Sequence, residues 1–148
     1  MPASLTLLEE QTDYAWRFIR SRLEGLTDHE FFWAPVDDVW TIRKRANGWA
    51  MDEPEDPDDW PEFDTHERPP FTTIAWRLVH VAACKVMYHD YGFGPGTGRW
   101  SDLDQPRKTN WGEMWPTWRI FTTMIEHDFH HGAEIGCVRD LYRHTVPN

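Results

Sequence analysis

The sequence has no run of about 18 or more apolar residues, the least that a membrane-spanning helix requires, so it holds no candidate span. It opens Met-Pro-Ala-Ser and soon meets Glu9, Glu10 and Asp13, without the basic and apolar regions of a secretory signal. A cytoplasmic protein is the expectation. No basic patch is expected, with 15 Lys and Arg against 25 Asp and Glu and a formal net charge of −10. Such a surface repels phosphate backbones, which excludes nucleic acid as a partner. Cysteine is scarce too. Cys84 and Cys137 stand far apart with no Cys-x-x-Cys spacing, and a reducing compartment argues against a disulfide between them. Tryptophan, by contrast, is abundant, with 10 in 148 residues. Most of these rings are expected to fill core volume, and some to line a pocket. The length suits a single domain over residues 1–148.

The apolar pattern predicts helices. Over residues 4–26, Leu8, Ala15, Ile19, Leu23 and Leu26 recur at helical steps, Thr6 with Glu9 fits a capping box, and Gly25 reads as a stop. Residues 27–70 read as a long irregular connection, with a proline-punctuated acidic run over 52–64 that is expected to pack over the bundle. A second helix is predicted from Thr72 or Thr73 to about Tyr91, on a stripe of Ile74, Leu78, Val81 and Ala82. Residues 97–115 read as coil with at most one short helical turn. The last helix is predicted from Pro116 or Thr117 to about His144, with Ile120, Met124, His127, His131, Ile135, Val138 and Tyr142 along one face. No segment shows a clear strand alternation, and the expected class is all-α.

The sharpest chemical signal lies on that last face. His127 and His131 are four residues apart, which places them one turn apart on a helix with Cβ atoms roughly 6 Å from each other. They stand where the stripe would otherwise carry apolar residues. A buried histidine needs a hydrogen bond or a metal, and two at this spacing can share one divalent ion. His130 lies on a flank. His80 sits among Leu78, Val79, Val81 and Ala82, and a bundle can bring it to the pair as a third ligand. Three imidazoles would leave one coordination position open, as in catalytic zinc sites. Glu134, three residues after His131, is a candidate to accept the proton of a ligand imidazole or to act as a base. Cys84, one turn from His80, is read as a small buried hydrophobe. His29, His66, His89 and His144 are expected at the surface.

Thr72-Thr73-Ile74-Ala75-Trp76-Arg77-Leu78-Val79-His80, followed by His127-Asp128-Phe129-His130-His131-Gly132-Ala133-Glu134-Ile135 and Arg139-Asp140-Leu141-Tyr142, resembles the DinB-like superfamily, most strongly over residues 71–91 and 111–142. The resemblance implies an up-down four-helix bundle, with one histidine on the second helix and a His-x3-His pair on the fourth. It implies zinc or nickel on His80, His127 and His131. It also implies kinship with transferases and isomerases that use low-molecular-weight thiols such as mycothiol or bacillithiol. The chain departs from the family between the two ligand-bearing helices, where the third long helix is truncated or missing. A bundle short of one wall exposes the apolar faces of its neighbours, so a homodimer is expected.

Three functions compete. A metal-dependent thiol S-transferase would hold a small thiol at the open position as thiolate, with Arg77 or Arg139 on its carboxylates. A metal-dependent hydrolase would use His127-Asp128-x-x-His131, which has zincin-like spacing with Asp in place of Glu. A non-catalytic protein would bind a metal or small ligand, or use the metal as a staple between helices. A di-iron site is disfavoured, since Glu-x-x-His is absent.

Overall fold

The computed structural model describes residues 3–53, 70–94, 103–110 and 112–147. Helix dominates, as α1 (Ala3–Arg22), α2 (Asp28–Phe31), α3 (Ile74–Phe93) and α4 (Thr117–Thr145). Against the all-α expectation there are short strands: β1 (Val39–Trp40), β2 (Ile42–Arg45), β3 (Gly48–Met51), β4 (Phe71–Thr72), β5 (Pro106–Lys108) and β6 (Met114–Pro116). They form three two-stranded pairs. The chain divides into two compact units. One comprises Met1–Glu24 with Val81–Gly136, the other Gly25–His80 with Cys137–Asn148. Both divisions fall inside helices, α3 and α4, that run on without a break.

In the first unit, α1 buries Leu5, Leu8, Ala15 and Ile19, a stripe set by three-, seven- and four-residue steps. Thr6 lies inside this helix, so it does not cap its start. The stop is as expected, with Gly25 at φ 66° just beyond the last turn. Leu5, Leu8 and Ala15 form a core with Leu103, Phe121 and Ile125, against which Met124 and Phe129 pack. Phe129 of α4 tilts against Tyr14 at 5.6 Å and Phe18 at 5.4 Å, both on α1. The approach of α1 to α4 depends on Gly132, since a Cβ there would stand 2.9 Å from the Phe18 ring.

Residues 97–115 were expected as coil. Among the described residues of that stretch there is no helix, but β5 pairs antiparallel with β6, Arg107 opposite Trp115. Thr109 closes the turn, donating its N–H to the Glu113 carbonyl at 2.7 Å and accepting the Glu113 N–H on its hydroxyl at 3.1 Å. Thr117 then starts α4, donating its hydroxyl to the Gln105 carbonyl at 2.9 Å. Across α3 and α4, Lys85 Nζ meets Asp128 Oδ2 at 2.6 Å, and the Asp128 side chain is 2% exposed. Along α3, Val79, Ala82, Ala83 and Val86 form an exposed apolar strip, the kind of face a third long helix covers in a bundle.

In the second unit, Thr27 caps α2 by accepting the Glu30 N–H at 3.2 Å. Buried Glu30 takes a two-pronged bond from Arg139, at 2.6 Å from Nε and 3.1 Å from Nη2. The connection expected to be irregular carries β1 parallel to β4 and an antiparallel hairpin, β2–β3. Asp52 holds the hairpin, taking the Thr41 N–H at 3.0 Å and the Arg43 Nε at 2.9 Å. Thr73 caps α3, its hydroxyl accepting the Trp76 N–H at 3.2 Å. Apart from Asp52 and Glu53, the acidic run and its Trp60 lie outside the described residues, as does His66. Among the described residues no helix is long and apolar enough to cross a membrane.

Asp128 is a carboxylate almost wholly removed from water, and Lys85 is the cation that compensates it. Lys85→Met is expected to lower stability by about 3 kcal/mol, the low end for breaking a buried pair because the ammonium keeps some water. Adding Asp128→Leu should restore most of the loss in urea denaturation. A single variant with an unchanged midpoint would show that the pair contributes nothing.

Candidate metal centre

Helix α4 carries His127 and His131 one turn apart, and their rings meet edge to face with centroids 4.4 Å apart. The two Nε2 atoms are 3.3 Å apart. His131 is buried, at 8% exposure, and His127 is half-buried. Two nitrogens bound at about 2.0–2.1 Å to one tetrahedral ion stand roughly 3.3–3.4 Å apart, so the observed separation fits a shared divalent ion without rearrangement.

The tautomer also fits. Glu134 Oε2 lies 2.7 Å from His131 Nδ1, and a carboxylate can only accept. A proton is therefore on Nδ1, and in the neutral tautomer this leaves the lone pair on Nε2, the atom nearest His127. The orienting carboxylate that ligand histidines commonly have is in place, supplied by the next turn of the same helix. Its other oxygen, Oε1, lies 3.2 Å from Nε2 of the exposed His130. His130, His131 and Glu134 thus form a group whose ligand atoms all lie within 4.8 Å of one another. In that group Glu134 bridges two imidazoles, which already explains its geometry.

His80 belongs to the second unit. Its half-buried ring stacks on Trp76 at 4.6 Å, with planes 17° apart. Trp76 is itself fixed, donating its indole N–H to the Asp52 carbonyl at 2.7 Å. The His80 ring plane is therefore set by packing before any ligand arrives.

Neighbouring groups have other work. Asp128 follows His127 in sequence, but its Oδ2 is bound to Lys85, and its buried Oδ1 has no hydrogen-bond partner. The carboxylate of a zincin-like reading is thus engaged by an ion pair through one oxygen. Arg139 is engaged with Glu30, and Arg77 donates to the Thr72 carbonyl and lies over the Phe71 ring, so both guanidiniums have structural partners. Burial pushes the Cys84 thiol above its ordinary value, which keeps it protonated at neutral pH. Burial, and then Cys84, push Tyr88 up to about 12. His29, His89 and His144 are exposed, as expected of surface histidines. Sequence reasoning missed Lys85, whose partner lies 43 positions away.

No protein family, no curated protein and no solved structure matches the chain.

The metal-free protein is expected to hold His131 as the Nδ1–H tautomer, with Glu134→Gln shifting the ring toward a mixture. Long-range proton–nitrogen correlation spectra report this directly. A wild-type ring found mainly as the Nε2–H tautomer would contradict the carboxylate's role.

Proposed function

We propose that this chain is a DinB-like protein that binds one divalent transition metal, zinc or nickel, through His80, His127 and His131. The observation that carries the reading is the His127–His131 pair, with Nε2 atoms 3.3 Å apart and the inner ring oriented by Glu134. Nitrogen donors of this kind suit zinc and nickel, whereas calcium and magnesium take oxygen. The mostly helical build, with one candidate ligand on α3 and two on α4, supports the family resemblance.

The function we propose is transfer chemistry with a low-molecular-weight thiol, in a cytoplasmic setting where such thiols stay reduced. A divalent ion with one open position lowers the pKa of a protic group brought to it, and a thiol is the group most readily deprotonated in this way. The protein's own part is orientation. Trp76 fixes the plane of His80, and Glu134 fixes the tautomer of His131. In the reaction the thiol sulfur would form a bond to an electrophilic carbon of the second substrate, a leaving group would depart from that carbon, and the thiol proton would pass to solvent.

Zinc and nickel titrations against a competing chelator test the metal claim. One ion per chain is expected. His127→Ala and His131→Ala should each weaken binding at least 100-fold, and His80→Ala at least 10-fold. A panel of small thiols and electrophiles then tests the chemistry, with turnover expected only in metal-loaded protein. Binding that survives His127→Ala and His131→Ala together would overturn the site. A metal-loaded protein that consumes no thiol would overturn the transferase reading and leave the metal site standing.

A further inference from the structure

A separate cavity of about 370 Å³ opens in the first unit, within the roughly 300–1,000 Å³ range of small-molecule sites. Leu8 of α1 and Phe121 and Met124 of α4 give it an apolar floor. Glu9, Asp13 and Lys85 supply charge at its walls. None of these six residues belongs to the histidine site.

The charges do not balance within the cavity. Lys85 is neutralised by Asp128, whose Oδ2 lies 2.6 Å from its Nζ. The aspartate is buried behind it, so the pair presents no net positive charge to a ligand. Glu9 and Asp13 stand one turn apart on α1, where like charges repel. Neither carboxylate makes a hydrogen bond or ion pair among the described residues. The remaining titratable wall group, His89, lies beside Asp90 at 3.5 Å. What is left is an apolar chamber with two uncompensated carboxylates at its wall, in a chain whose overall charge is −10.

We propose that this cavity binds a small organic cation: an amine whose ammonium group sits against Glu9 and Asp13 and whose apolar body lies on Leu8, Phe121 and Met124. An anion would meet the two carboxylates, and the lysine among the described wall residues is already paired with Asp128. A neutral apolar molecule would gain the floor but not the charge. This site does not depend on the metal reading, and either one can fail alone.

Calorimetric titration of the full chain, stripped of metal by a chelator, tests the assignment with three probes of similar shape: 2-phenylethylamine, 2-phenylethanol and phenylacetate. The amine is expected to bind saturably and at least 10-fold more tightly than the alcohol, and phenylacetate not to bind. Glu9→Gln with Asp13→Asn, both exposed positions, should reduce the amine to the affinity of the alcohol while leaving the circular dichroism spectrum unchanged. Raising the salt to 0.5 M should weaken the amine alone, because a Debye length falls to a few ångström near that strength, about 3 Å at 1 M. Phenylacetate binding as tightly as the amine would overturn the proposal. So would amine affinity unchanged in the double variant, or no binding by any probe.

Discussion

An imidazole buried on a helix has two nitrogens to satisfy and little water to do it with. His131 meets this constraint on both sides of its ring. Glu134, three residues on, accepts a hydrogen bond from Nδ1–H, and Nε2 faces His127. The backbone makes both partners available, because residues at i−4 and i+3 lie on the same helix face. Helix α4 therefore needs no distant element to form the inner half of the site. A segment of nine residues, 126–134, holds a donor pair at a spacing suited to one ion, and the carboxylate that orients it.

The rest of α4 obeys the same constraint with different partners. Asp128, between the two histidines in sequence, is answered by Lys85. Arg139 is answered by Glu30 in a two-pronged geometry. Pairs like these add little net stability over apolar packing, but they are costly to break and so fix which elements meet. Lys85–Asp128 sets the facing of α3 and α4 in the first unit. Glu30–Arg139 sets α2 against the end of α4 in the second. The polar residues of this helix thus act as register marks, while Ile120, Ile125, Ile135 and Val138 supply the buried apolar area.

The three long helices were legible because their apolar residues repeat at three and four. The histidine pair was legible because it sits in phase with that repeat. The short elements were hidden for identifiable reasons. Strands β2 and β3 are exposed along most of their length, so no alternation of apolar and polar residues marks them. The turn between them is Ala46-Asn47, and Gly48, the first residue of β3, follows it with a positive φ of 124°. Helix α2 was announced by Thr27 ahead of Asp28 and Glu30, a capping residue before an acidic first turn, but at four residues it is too short to show a period. Lys85 and Asp128 were unreadable as a pair, because nothing local marks which lysine compensates which aspartate. His80 was legible as a polar interruption in an apolar run, but its stacking on Trp76 was not.

The most direct test of the metal centre is X-ray absorption at the zinc edge of zinc-loaded protein. Three nitrogen scatterers at about 2.0–2.1 Å with the outer-shell pattern of imidazole are expected, plus one oxygen ligand from solvent. A shell made only of oxygen, or one with sulfur at about 2.3 Å from Cys84 or Cys137, would contradict histidine ligation and with it the central claim.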